Sequence, residues 1–168
     1  MAGGEAQFSG SCVPNHPLHG EAMMPVAARL RELVARDAPR LRLLSEPDVS
    51  EKPSPEKWSR KEILGHLIDS ASNNHQRFVR MQLRPDIGAF VYDQVEWNRA
   101  QKYQMANWPD LVELWRLYNQ HLAHVIEGAD PNSMSNICDV GAPAPANLGF
   151  IMEDYVRHVR HHLDQILG

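Results

Sequence analysis

The sequence predicts an all-α protein, a four-helix bundle whose helices are joined by long connections. Three observations predict it. Four long segments place apolar residues at helical spacing, prolines and a glycine punctuate their boundaries, and no stretch shows the apolar-polar alternation of a strand.

Taken in order, residues 1–24 are rich in Gly, Ser, Pro and Asn without periodicity and are expected to form an irregular extension; residues 25–168 form one domain. The first helix follows Pro25, with Val26, Leu30, Leu33, Val34, Leu41 and Leu44 on one face, and Pro39 is expected to kink or break it. Glu46 to Lys57 is a connector punctuated by Pro47, Pro53 and Pro55. Ser59-Arg60-Lys61-Glu62 is a capping box, flanked by Trp58 and Ile63 as a hydrophobic staple, and starts the second helix. Its stripe is Ile63, Leu64, Leu67, Ile68, Ala71, Phe78 and Val79, and Pro85 ends it. Residues 85–107 are mixed, with a short helix expected to begin at Asp93–Trp97.

Pro109 suits the first position of the third long helix, whose stripe is Leu111, Leu114, Trp115, Tyr118, Leu122, Val125 and Ile126, with Gly128 as its stop. Ala129 to Asn147, containing Pro131, Pro143 and Pro145, reads as a loop without regular structure. The last helix runs from Leu148 to Leu167 with Leu148, Ile151, Tyr155, Val159, Leu163 and Ile166 inward. Connections this long argue against an up-down bundle with tight turns.

Composition excludes several classes. A net charge of -4 in 168 residues leaves no electrostatic footprint for nucleic acid. Every apolar run is interrupted by charge before it could cross a bilayer, and the first residues lack the pattern of a signal peptide. Cys12 and Cys138 form no C-x-x-C motif, as expected of two unpaired thiols in a reducing cytoplasm. A cytoplasmic protein acting on a small molecule, without nucleic-acid or membrane partners, is the expectation.

The nine histidines point to chemistry by position rather than by number. His158 and His162 lie one helical turn apart, within about 100 and about 60 degrees of the last helix's apolar centre, so both border the core. Two imidazoles at this spacing can converge on a metal ion; they can equally be core-edge residues bonded to neighbours. His66 lies beside the second helix's stripe, on a polar strip with Ser70, Asn73 and Arg77, which either faces solvent or lines a pocket inside the bundle. Three such imidazoles would leave coordination positions open. His161 points to solvent, His75 reads as a core histidine, His121 and His124 as structural or surface residues, and His16 and His19 lack a scaffold. Val159 stands where a helical zinc-protease motif needs Glu, and no P-loop, dinucleotide fingerprint or nucleophile elbow is present.

Several pieces together resemble the DinB-like superfamily, in its YfiT-like branch. They are Lys57-Trp58-Ser59, Gly65-His66-Leu67-Ile68-Asp69-Ser70, Tyr92-Asp93-Gln94, Trp108 to Leu122, Glu153 to His158, and His161 to Ile166. The resemblance spans residues 25–167 and implies a four-helix bundle holding a divalent metal near one end through three histidines, here His66, His158 and His162. It implies a homodimer and either transfer of a low-molecular-weight thiol onto an electrophile or metal-dependent hydrolysis; which metal is held stays open among zinc, nickel, iron and manganese. The family is named for DNA-damage induction, which does not imply DNA binding.

The leading expectation is therefore a metal-dependent enzyme that activates a nucleophile, first a small thiol cosubstrate for S-transfer, alternatively water for hydrolysis. A non-catalytic, stress-related bundle that binds metal or a small molecule is the competing class. Asn73, Tyr92 and Trp97 are candidates for the substrate pocket, and Asp69 and Asp154 for orienting the ligands, though both carboxylates are expected at the surface. Metal occupancy is expected to fall as pH drops through the range where histidine protonates.

Overall fold

A computed structural model describes residues 23–168. The expected irregular extension, with Cys12, His16 and His19, lies outside the described residues except for Met23 and Met24, which already begin a helix. Among the described residues the chain forms α1 (Met23–Arg42), α2 (Glu46–Ser50), α3 (Arg60–Leu83), α4 (Gln94–Gln101), α5 (Trp108–Glu127) and α6 (Leu148–Leu167). The capping box forms as the sequence predicts: the Ser59 hydroxyl accepts from Glu62 N at 3.1 Å and the Glu62 carboxylate accepts from Ser59 N at 2.8 Å. Asn107 caps α5, whose first turn holds Pro109, and Asn147 caps α6.

Pro39 does not break α1, which continues to Arg42. Only one turn remains beyond it, and that turn is held by burial of Ala38 and Leu41 and by the Trp108 indole, which donates to the Leu41 carbonyl at 2.9 Å. A second departure is α2, inside the Pro-rich connector, capped by Ser45 and fixed by an ion pair from Glu46 to the buried Lys61.

The four long helices make a bundle in which α1 and α3 each pack against both α5 and α6. The long helices α1 and α3, and likewise α5 and α6, follow one another along the chain but lie across the bundle from each other. The ends of α3 and α5 coincide: the Ser59 hydroxyl donates to Gln104 Oε1 at 2.7 Å, and Asp130 N donates to Gln82 Oε1 at 3.2 Å. These two helices therefore run parallel, and the chain must travel the bundle's length between them. This is the physical reason for the long connection between α3 and α5. In contrast α6 runs antiparallel to α3, since Asn136, whose carbonyl accepts from Leu148 N, also donates to Met81 O at 2.6 Å.

Three very short strands correct the expectation of no regular structure in the loops: β1 (Asp86–Ala89), β2 (Ile137–Asp139) and β3 (Ala146–Asn147). β1 pairs parallel to β2, with Asp86 opposite Ile137, and β2 pairs antiparallel to β3, with Ile137 opposite Asn147. Segments of this length cannot display alternation, so periodicity has no means of finding them. The sheet closes the end of the bundle where α3 stops and α6 starts.

The core is one apolar cluster fed by all four long helices, with Val79 and Leu114 of the expected stripes left exposed at its margin. One buried polar bridge crosses it. The Tyr155 hydroxyl donates to Asn119 Oδ1 at 2.6 Å while Asn119 Nδ2 donates to the Trp115 carbonyl at 2.8 Å, all inside the core. Tyr155→Phe removes that donor and strands the Asn119 oxygen, an expected loss of about 1–3 kcal/mol. Urea unfolding would measure it, and an unchanged midpoint would show that Asn119 needs no donor from Tyr155.

Candidate metal centre

Antiparallel packing of α3 and α6 brings the start of one helix to the end of the other. His66, in the second turn of α3, thereby meets His158 and His162 on α6. Their candidate ligand nitrogens all lie within 4.8 Å of one another, and among the described residues they are the group of three metal-ligating side chains that converges in this way. His66 Nε2 and His158 Nε2 are 3.1 Å apart, and the three ring centroids are separated by 4.5–5.1 Å.

Each ring is held differently. His66 is buried, 1 % exposed, under the Trp58 indole, whose centroid is 5.1 Å away. His162 Nδ1–H donates to Gln165 Oε1 at 2.8 Å, which leaves its Nε2 lone pair for the other two rings. Gln165 in turn donates to His161 Nε2 at 3.0 Å, and His161 is exposed as its helical position predicts. The sequence reading missed Gln165 as an orienting residue; its place three positions after His162 is the only signal that marks it.

Burial keeps all three imidazoles neutral. It pushes His66 down to about 3 and His158 down to about 2, each helped by the neighbouring imidazoles. Burial also lowers His162, partly opposed by its hydrogen bond to Gln165. The sign of the resulting linkage follows. Histidines held neutral when folded take up protons when the chain unfolds, so the unfolded state binds more protons below about pH 6.5. Stability of the metal-free protein is expected to be level above that pH and to fall below it, by up to about 1.4 kcal/mol per unit for each such histidine. Metal loss on acidification would then track unfolding rather than titration of the folded ligands. Urea midpoints of chelator-treated protein from pH 8 to 4.5 would show the break, and a flat profile would mean the rings are not held neutral.

The strip that carries His66 along α3 is buried rather than solvated. Asp69, Ser70, Asn73, Asn74 and Arg77 all join His66 in the interior. What covers them is the segment from Phe90 to Tyr103. Arg77 donates to the Phe90 carbonyl at 2.6 and 3.2 Å, Asn98 donates to Glu62 O at 2.8 Å, and Asp69 Oδ1 accepts from Gln101 and, at 2.6 Å, from the Tyr103 hydroxyl. Asp69 is therefore not the surface carboxylate that the sequence suggests: it is 2 % exposed, and burial pushes its carboxyl above the usual range. Asp154 does lie at the surface, paired with Arg157.

Of the expected pocket residues, Tyr92 and Trp97 meet with ring centroids 5.2 Å apart, Trp97 partly exposed. Burial and the nearby Asp69 push Tyr92 up to about 12. Asn73 donates to the Asp69 carbonyl of its own helix at 2.9 Å. Cys138 is fully buried, and burial pushes its thiol up, which makes it a poor nucleophile.

Fold and cluster define a class of protein, a helical bundle that gathers three neutral imidazoles at one end. The chain belongs to the DinB superfamily, whose family model matches residues 23–166. Among solved structures, YfiT from Bacillus subtilis, described as a probable metal-dependent hydrolase with an unusual four-helix bundle topology, is similar. It shares 17 % sequence identity, with a TM-score of 0.80 over 94 % of this chain and 91 % of that one, a likeness of fold. No curated protein sequence matches the chain. No helix among the described residues is long and apolar enough to cross a membrane.

The donor set fits a divalent transition metal. Imidazole suits zinc, nickel and iron, and three neutral donors leave coordination positions free. His66 Nδ1 is buried without a hydrogen-bond partner, as is Asp69 Oδ2 one turn further along α3. Such orphaned polar atoms call for a reason beyond packing, and a functional site is one.

Proposed function

We propose that the chain is a metal-dependent enzyme whose His66, His158 and His162 hold one divalent ion, and that it activates a nucleophile against a small-molecule electrophile. The observation that carries this reading is the convergence of three neutral imidazoles within 4.8 Å at a buried helix-helix junction. When bound, a cation held by neutral ligands retains its charge and lowers the pKa of a water or thiol offered to its open positions. The chain's own residues do the rest. Gln165 fixes the tautomer of His162, Trp58 shields His66 from water, and the Phe90–Tyr103 segment covers the polar strip. Tyr92 and Trp97 would offer the substrate an aromatic wall, with Asn73 on the strip beneath that segment.

The nucleophile we favour is the sulfur of a low-molecular-weight thiol, which forms a bond to the electrophilic carbon as the leaving group departs and the thiol proton passes to solvent. Hydrolysis is the second reading, favoured by the description of YfiT as a probable metal-dependent hydrolase. A cytoplasmic location and a homodimer fit both.

The test is a pair of assays on fully metal-loaded protein. Metal-dependent consumption of a thiol together with a model electrophile supports transfer, and turnover of esters or amides without thiol supports hydrolysis. Silence in both would sink the enzymatic reading and leave a binding bundle.

A further inference from the structure

A second group of imidazoles lies on the other side of α3. His75 follows His66 by nine positions, roughly 14 Å along the helix and half a turn around it, so it faces α5 instead of α6. There its ring meets that of His121 edge to face, with centroids 5.0 Å apart. This equals the ring spacing within the candidate metal centre, where the centroids are 4.5–5.1 Å apart. His124, three positions further along α5, has its ring 6.4 Å from that of His121. By sequence His75 reads as a core histidine and His121 and His124 as structural or surface residues, and the function proposed above leaves all three unused.

Three features distinguish the pair from an ordinary aromatic contact. His75 Nδ1 is engaged by the Tyr118 hydroxyl at 3.2 Å, which sets the ring's orientation and leaves Nε2 as its free nitrogen. A metal-ligating histidine is characteristically held through its other nitrogen in this manner. His75 is half-buried between the helices whereas His121 is exposed, so a cation would reach the pair from solvent. Finally, the two rings come from separate helices, and binding would tie α3 to α5.

We propose that His75 and His121 form a second, solvent-facing site for a divalent transition metal of the zinc, nickel or copper type. Tyr118 is its orienting residue, and water completes the coordination. The site stands apart from the first, with no ligand in common.

The experiment is a calorimetric zinc titration of the full chain and its variants. Wild type is expected to take up two equivalents. His158→Ala should keep the second, and adding His121→Ala should remove it. Tyr118→Phe in the His158→Ala background should weaken the remaining site by roughly tenfold, the usual scale for loss of an orienting partner. His121 is exposed, so its replacement leaves the fold intact. Zinc uptake by His158→Ala that is indifferent to His121→Ala or to Tyr118→Phe would overturn the proposal, since it would report scattered surface histidines. Absence of any uptake by His158→Ala would overturn it as well. Failure of the first site looks different: both the wild type and His158→Ala would then show one equivalent, and His121→Ala would abolish it in each.

Discussion

His158→Ala is expected to strip the candidate centre of its ion. Protein purified without a nickel column and reconstituted with zinc should hold about one ion per chain at this centre, and the variant should hold none there. The effect is large because the candidate site offers three ligands and no reserve. With His158 gone, His66 and His162 remain, and no further metal-ligating side chain among the described residues joins them. Folding linkage gives an independent readout. An ion present at a hundred times its dissociation constant stabilises the folded state by about 2.7 kcal/mol, on the order of 5–10 °C for a chain of this size. Wild type should show that shift at low zinc and the variant should lose it, while the metal-free midpoints stay close. Equal zinc-dependent shifts in the two proteins would remove His158 from the site. A lack of metal in both, after trials with zinc, nickel, iron and manganese, would return the histidines to the roles of core and surface residues.

Much of this was legible along the chain because it is written locally. The capping box at Ser59, the first-turn Pro109 of α5 and the 3.6-residue stripes each need only a few neighbouring residues, and all appear in the structure. The pairing of His158 with His162 is local too, one turn on one helix face. What periodicity could not supply is the partner of that turn. His66 meets the pair because α3 and α6 run antiparallel with matching ends, a relation between helices far apart in sequence; resemblance to the family was needed to name it. The burial of the polar strip was hidden for the same reason. Asp69, Asn73 and Arg77 look like a solvated flank until a separate segment, Phe90 to Tyr103, folds over them. Short elements were lost for want of length: α2 hides in a Pro-rich stretch, and strands of two to four residues carry no period.

Gly65 shows how such a hidden contact can control both stability and the site. A glycine inside a helix costs about 1 kcal/mol relative to alanine, so Gly65→Ala should stabilise α3 if propensity alone mattered. The opposite is expected. A methyl group at this position would lie 2.2 Å from Cγ and Cδ2 of Tyr103, less than any van der Waals contact allows. Tyr103 has little freedom to yield: its ring is buried, its hydroxyl donates to Asp69 at 2.6 Å, and its turn follows Lys102, which sits at φ 52. Either the turn lifts off α3 or the helix shifts, at a typical overpacking cost of about 1–3 kcal/mol and more where neither side can relax. His66 follows Gly65 directly in α3, so the same displacement should weaken metal binding. Urea unfolding and zinc affinity measured on one variant would thus both fall. Tyr103→Leu in the Gly65→Ala background, which removes much of the ring that is struck, should recover part of the loss, and the double-mutant cycle would give a favourable coupling between the two positions. A Gly65→Ala protein more stable than wild type would mean that α3 and the Tyr103 turn are not in the close contact described.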